Sequence, residues 1–369
     1  MSIHDEMYHP PHEQFVSPLE LQLLELEEEI FEWIEAEVKE NDEEYFSFEN
    51  REELYEEFCY IINELFDFPT SFVYQFVRQR IDFFFQEFYV EGTIKHLQEI
   101  NSTLPKQRTE EWYIYRHNLL TASNVYKIFG SSAQFNSLIL EKCQDISATS
   151  HFTSSSCDWG KTYEPLSVLF YEKTYDTKVQ EFGCFQHRKW KCLGASPDGI
   201  VVGNRRYGRM LEIKNIVNRD ITGVPLPHYW IQMQIQMEVC DLDICDFLET
   251  RFKECMDVKE WMLLSGDKWK GCITVNNEGD KIYHIWDAEK ISIADFVSIH
   301  SSDTLAVYTR WWYLDEWSCI KVLRDRHWFQ NALPKILDFW EIILKERIDG
   351  FEHRRPKPRS TTKGVLFLY

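Results

Sequence analysis

Long apolar runs are missing from this chain: no stretch approaches roughly eighteen uncharged apolar residues, so none reads as a membrane-spanning helix. The opening MSIHDEMYHPPHEQ offers neither a basic start nor an apolar core, so no secretory signal is expected and the chain reads as intracellular. Its ten cysteines contain no C-x-x-C pair, which argues against a zinc site and for reduced, mostly buried thiols in a reducing compartment. No internal repeat stands out. What is plentiful is apolar and aromatic side chains, 44% and 15% of 369 residues, ample for one large packed domain or two ordinary ones.

Basic charge is also short overall, 40 Lys and Arg against 61 Asp and Glu, but the deficit is confined to one end. Residues 1–105 carry 26 acidic and 5 basic side chains, whereas residues 106–369 carry 35 of each. An acidic appendage on a neutral body leaves a nucleic-acid ligand open in a way that uniform acidity would not. Residues 1–105 read as helices. Ser17-Pro18-Leu19-Glu20 supplies a cap, a first-turn proline and a capping-box glutamate. Asn50 with Glu53 opens a second helix through Leu65, and a third is expected over 70–89. The composition changes near Leu104, so the expected domains are an acidic all-helical region, 1–105, and a second domain, 106–369.

Within the second domain, the serine- and threonine-rich SATSHFTSSSC, 147–157, reads as a loop ahead of a helical DWGKTYEPLSVLFYEKTY. KVQEFGCFQH, LGASPDGIVV and RMLEIKNIV read as consecutive strands, the last two joined by a turn near GNRRYG. HYWIQMQIQMEVC is ambiguous: its alternating glutamines fit a strand, its Gln and Met favour a helix, and a helix would align Tyr229, Gln232 and Gln236. ICDFLETRF reads as a strand and CITVNNEGDKIYHIW as a hairpin. Aromatic helices over DRHWFQNALPKILDFWEIILKER and a basic tail close the chain.

Two of these strands carry chemistry. In LEIKN, residues two apart project from one face at roughly 6–7 Å, so Glu212 and Lys214 point together while Leu211 and Ile213 point the other way. Asp198, after the Ser196-Pro197 turn of the preceding strand, can meet them. Magnesium takes hard oxygen ligands and usually only one or two carboxylates, which suits Asp198, Glu212 and the carbonyl of Ile213. Lys214 could then hold or deprotonate an attacking water and offset phosphate charge. Taken singly, a Glu-x-Lys is most often a solvated strand pair and an Asp-Gly just a turn.

SPDG followed by LEIKN resembles the PD-(D/E)XK nuclease motif, and more particularly its lambda-exonuclease or YqaJ-type viral recombinase branch. EWYIYRHNLLTAS resembles that branch's W…R…ITAS opening and gives Arg116 and Ser123. WGKTYEP resembles its helix glutamate motif, giving Glu164, and YWIQMQIQM its Y-x-x-Q-x-Q-x-x-M helix, giving Tyr229, Gln232 and Gln234. VLRDRHWFQNALPKILDFW resembles its C-terminal helical end, so the resemblance spans about residues 106–345 in order. Plainer readings stand beside these: Arg116 as an exposed helix arginine, Ser123 as a helix cap, Glu164 as helix surface paired with Lys161, and Gln234 as structural.

The resemblance implies a restriction-endonuclease-like fold of the α/β (α+β) class, a mixed central sheet flanked by helices, preceded here by the acidic helical region. It implies a magnesium-dependent exodeoxyribonuclease, with manganese as a substitute, that digests linear double-stranded DNA from 5′ ends and leaves a 3′ strand for recombination. Glu164, Asp198, Glu212, Lys214 and Gln232 would be catalytic, with Asp198, Glu212 and Ile213 holding metal. Arg116, Ser123 and Ser196 would grip a terminal 5′ phosphate, and Tyr229 would line the substrate site. A single-strand annealing protein and further copies of the chain are the implied partners, in the cytoplasm or nucleus of a host cell if the chain is viral. An endonuclease on the same core and a non-catalytic nuclease-like scaffold are the competing functions. The region 1–105 falls outside the resemblance.

Overall fold

The computed structural model describes residues 90–145, 155–203, 205–301 and 306–356, with residues 55, 56, 59, 60, 63 and 64. The chain divides into two compact units, Met1–Gly92 and Thr93–Tyr369. The described positions between 55 and 64 are helical, as expected of the second acidic helix; the first and third expected helices lie outside the described residues. Among the described residues no helix is long and apolar enough to cross a membrane.

Helix α1 (Val90–Asn101) is followed by α2 (Glu110–His117), whose N-cap Thr109 accepts a hydrogen bond from the Trp112 amide. Strand β1 (Leu120–Thr121) runs into the single turn α3 (Ala122–Val125) and then α4 (Ser132–Cys143), which opens on a Ser131/Gln134 capping box. Helix α5 (Ser155–Tyr175) begins earlier than the sequence suggests: the last three residues of the expected loop are helical, and residues 147–154 lie outside the described ones.

The next two expected strands are each split. KVQEFGCFQH yields β2 (Val179–Gln180) and β3 (Phe185–Gln186), and LGASPDGIVV yields β4 (Leu193–Ala195) and β5 (Gly199–Val201). In the second case the break falls at Ser196-Pro197-Asp198, where proline cannot donate to a ladder. The halves join different sheets. β1, β4 and β3 form a three-stranded sheet, and β2, β5, β6 (Met210–Asn215), β7 (Ile244–Glu254), β10 (Ala306–Leu323), β8 (Lys270–Asn276) and β9 (Lys281–Ile285) a seven-stranded one, in that order. The expected turn joins β5 to β6 and uses left-handed backbone at Arg206 (φ 60°) and Gly208 (φ 77°).

Helix α6 (Pro227–Cys240) resolves the ambiguous segment. It starts with Pro227 in its first turn and stops at Asp241, whose φ of 55° is the left-handed geometry that ends helices. It provides the crossover between β6 and β7, which pair in parallel. Because α6 packs against β3 and β4 and also against β7, its residues Met233 to Met237 are all buried, so no polar face marks it as a helix. After the short α7 (Val258–Leu263) come β8 (Lys270–Asn276) and β9 (Lys281–Ile285), an antiparallel hairpin as expected, and α8 (Ile293–Ser301).

Strand β10 (Ala306–Leu323) was not expected. It runs antiparallel to both β7 and β8 and joins the site-bearing half of the sheet to the hairpin. The closing helices are one, α9 (Arg326–Asp349), capped by Asp325 and burying Phe329, Ala332, Ile336, Phe339 and Ile343 at helical spacing. The architecture is therefore a mixed central sheet flanked by helices. Leu211 and Ile213 of β6 pack with Tyr171 of α5, Val201 and Leu248. Farther along α5, Tyr163 stacks on Phe252 of β7 at 4.9 Å between ring centroids. Burying each such large side chain contributes about 1.5–3 kcal/mol, and together they hold α5 to the sheet. Phe252→Ala would cost about 3–5 kcal/mol and loosen the helix that carries Glu164.

Candidate active site

Strand geometry puts the chemistry of β6 on one face. With Leu211 and Ile213 committed to the core, Glu212 and Lys214 point the other way and form an ion pair. Glu212 is fully buried, a costly place for a carboxylate unless donors surround it. They do: besides Lys214 Nζ, Gln232 Nε2 of α6 donates to Oε1 at 2.7 Å and Gln236 Nε2 donates to Oε2 at 2.7 Å. Asp198, just before β5, accepts the Ile213 backbone N–H on Oδ2 at 2.7 Å. Strand pairing of Gly199 opposite Leu211 fixes that approach.

The electrostatics follow from this crowding. Burial, and next the charge on Glu212, push the Asp198 carboxyl well above the usual range, with Lys214 and the Ile213 N–H opposing. Burial alone would pull Lys214 down, but Glu212 and Asp198 more than offset it, so its ammonium is held charged. That ammonium also sits 4.8 Å from the centre of the Tyr229 ring, which Arg219 approaches at 5.6 Å.

Glu164, on α5, makes no hydrogen bond to Asp198 or Glu212. Its Oε1 accepts from Arg108 Nη2 at 2.8 Å, rather than from Lys161. Burial raises its carboxyl and Arg108 lowers it, while Glu181 and Glu212 push it up again, leaving a net rise. The charge of Glu212 is therefore felt at both Glu164 and Asp198, although Glu164 comes from a helix.

Arg116 and Ser123 form a second group. Arg116 Nη2 donates to Ser123 Oγ at 3.2 Å, and its guanidinium lies over the Trp112 ring at 4.3 Å. Ser123 is not a helix cap, since α3 is preceded by Thr121 and already includes Ser123. Ser196 joins through its neighbours: its hydroxyl donates to the Gly183 carbonyl at 3.2 Å, and the adjacent Cys184 thiol interacts with Arg116.

Three features escaped the sequence reading. Gln236, which the sequence reading set on the Tyr229–Gln232 stripe but gave no role, contacts Glu212, whereas Gln234 does not. Gln234 instead donates to the Leu323 carbonyl at 2.9 Å and accepts from the Asp325 amide at 2.6 Å, a structural tie between α6 and the start of α9. Arg108 escaped because nothing in its neighbourhood signals the left-handed backbone, φ 69°, from which it reaches Glu164. Glu249 of β7, in register opposite Lys214 and ion-paired with Arg219, had no signal within its strand.

Residues 111–243 match the YqaJ-like viral recombinase domain. The YqaJ-like segment contains all of the candidate site residues, and it is the branch that SPDG and LEIKN resemble. Over 320 residues the chain is 23% identical to uncharacterized protein R354 of Acanthamoeba polyphaga mimivirus, covering 72% of this chain and 58% of that one. The chain thus spans less than two thirds of that relative's length. Among solved structures it is similar to an alkaline exonuclease, LHK-Exo, from Laribacter hongkongensis, at 20% identity over 65% of this chain and 94% of that chain, with a TM-score of 0.41. It is also similar to a phage-related exonuclease from Haemophilus somnus 129PT, at 13% identity over 62% and 93% of the two chains, with a TM-score of 0.35.

The donor set of the YqaJ-like segment fits a hard divalent cation. Asp198 and Glu212 are two hard oxygen donors, the number magnesium usually takes from protein. Gln236 Oε1 is buried without a hydrogen-bond partner beside this pair, an acceptor left for a bound group or its water.

Proposed function

We propose that the chain is a metal-dependent deoxyribonuclease, a 5′-to-3′ exonuclease on linear double-stranded DNA that serves viral recombination. The observation that carries this reading is the convergence of Asp198, Glu212 and Lys214 from adjacent strands, with Gln232 and Gln236 fixing the Glu212 carboxylate. The match of residues 111–243 to a viral recombinase domain supports it.

Asp198, Glu212 and the Ile213 carbonyl would hold magnesium, with manganese as a substitute. When bound, such an ion supplies charge stabilisation to a scissile phosphate and acidifies water. The rest belongs to the chain. The Lys214 ammonium, kept charged by Glu212 and Asp198, offers a donor and a positive charge to the phosphate oxygens and the attacking water. Gln232 and Gln236 keep Glu212 from swinging toward Lys214 alone, so the carboxylate retains its geometry when the phosphate enters. Glu164, raised toward neutrality, is suited to holding or taking a proton at the edge of the site. Arg116 presents a planar fork of donors to a terminal 5′ phosphate, with the Ser123 and Ser196 hydroxyls beside it. Tyr229 lines the substrate site. The surviving 3′ strand would pass to a single-strand annealing protein.

The test is digestion of end-labelled linear duplex with magnesium, comparing 5′-phosphate with 5′-hydroxyl ends. The expected result is loss of label from 5′ ends, faster with the phosphate, and no digestion by Asp198→Ala or Lys214→Ala. Cutting of a closed circle would replace this reading with an endonuclease. Wild-type protein inert on every end would remove it.

A further inference from the structure

A fully buried lysine has no role in the chemistry above. Lys142 on α4 is 3% exposed, and its Nζ donates to the Arg116 backbone carbonyl at 2.9 Å. The nearest carboxylate oxygen, Glu141 Oε1, is 3.9 Å away, and Glu141 is already engaged by Lys127 at 2.8 Å and Asn124 at 3.3 Å. A second cation approaches from the far end of the chain. Arg347 of α9 donates from Nε to the Lys142 carbonyl at 2.9 Å, from Nη2 to the His117 carbonyl at 3.3 Å and from Nη1 to Asn118 Oδ1 at 3.4 Å. The last two carbonyls of α2, those of Arg116 and His117, are therefore each met by a cation from a different helix.

Helix ends are ordinarily closed by glycine or asparagine in left-handed backbone, or by exposed basic side chains. Here α2 ends at Asn118 with φ of −87°, the Leu119 amide donates to the Arg116 carbonyl at 3.2 Å, and a buried ammonium adds a second donor to that same carbonyl. That is an expensive way to cap a helix. Burial, with help from Arg116, Lys127 and Arg347 and against Glu141, pulls Lys142 down to about 8. Lys142 thus sits among three further cations, Arg116, Lys127 and Arg347, with the Glu141 carboxylate beside it. Such a cluster gains most when an anion arrives at its exposed member.

We propose that Lys142 and Arg347 are positioning residues for a terminal 5′ phosphate: they clamp the last turn of α2 and so fix the Arg116 guanidinium and back it with positive charge. The proposal rests on the reading that Arg116 and Ser123 receive that phosphate. Neither Lys142 nor Arg347 touches DNA. Lys142 acts through the Arg116 carbonyl, and Arg347 through the carbonyls of His117 and Lys142. The clamp also explains why α9, remote in sequence from the site strands, matters to the substrate: its last turns hold the phosphate-reading helix in place.

The experiment compares wild type, Lys142→Met, Arg347→Gln and Arg347→Lys on linear duplex ending in 5′ phosphate or 5′ hydroxyl, reading KM and kcat for each end. The expected result is a loss of about fivefold or more in phosphate preference for Lys142→Met and Arg347→Gln, in KM for phosphate ends, with hydroxyl-end digestion unchanged. Arg347→Lys should recover part of the preference. Should Lys142→Met fail to fold, the two Arg347 variants carry the test. Unchanged preference, or equal loss at both ends, overturns the proposal while leaving the nuclease reading intact. Wild-type protein that digests neither end removes the nuclease reading itself, and the clamp with it.

Discussion

Gln236 donates to Glu212 Oε2 at 2.7 Å from a helix that begins well after the strand carrying the carboxylate. Lys214 and Gln232 both serve Oε1, so Gln236 is the donor assigned to the other oxygen. Gln236→Leu leaves a buried carboxylate oxygen bare and is expected to cost about 1–3 kcal/mol in urea denaturation of the metal-free protein, together with most of the activity. Gln234→Leu is the contrast. It severs the ties to Leu323 and Asp325, so stability falls while activity per folded molecule stays near wild type. Equal activity loss in both variants would show that the two glutamines were not divided in this way.

Asp198 gives a prediction with a definite sign in pH. Burial and the Glu212 charge raise its carboxyl in the folded protein. A carboxyl raised on folding costs stability above its folded pKa, and the cost disappears as pH falls through that value toward the unfolded one. In the presence of a chelator, Asp198→Asn is therefore expected to be more stable than wild type at pH 8, the advantage shrinking as pH falls through the raised value. Denaturation curves across that pH range measure it; an Asn variant less stable at pH 8 than wild type contradicts the electrostatic account of the site. The same variant is expected to be inactive.

Arg108 holds Glu164 toward its ionised form, against burial and the neighbouring carboxylates. Removing the guanidinium in Arg108→Gln lets the Glu164 carboxyl rise further. If Glu164 works ionised, the acid limb of the pH–rate profile moves to higher pH; if it works protonated, the alkaline limb does so. Stability should change by less than about 1 kcal/mol, since both partners are partly exposed. A profile that stays where it is would take Glu164 out of the chemistry.

The sequence carried the site more plainly than the sheet around it. Period-two alternation in LEIKN was enough to set Glu212 and Lys214 against Leu211 and Ile213, because one face of β6 packs on Tyr171 and Leu248. The Tyr229 stripe likewise held the right glutamines once the segment was a helix. β10 was illegible for a physical reason: its register shifts between Leu314 and Glu316, so the alternation of AVYTRWWYLDEWSCIKVL changes phase partway along. The split of LGASPDGIVV was announced by Pro197, but only the two-sheet arrangement shows that the halves have different partners. Arg108 and Arg347 could not be read at all, since each acts across a distance in sequence that no local pattern records.

The matched segment ends at Asp243, one residue before β7 begins. A fragment trimmed to it would keep Asp198, Glu212, Lys214, Gln232 and Gln236 yet strip β6 of the neighbour that β10 in turn anchors. Bare amides and carbonyls would then line the very ribbon bearing Glu212 and Lys214, a template for intermolecular strand addition. The smallest transplantable piece of this protein is accordingly set by its hydrogen-bonded ladder and extends at least to the last turn of α9, far beyond the stretch in which its motifs are written.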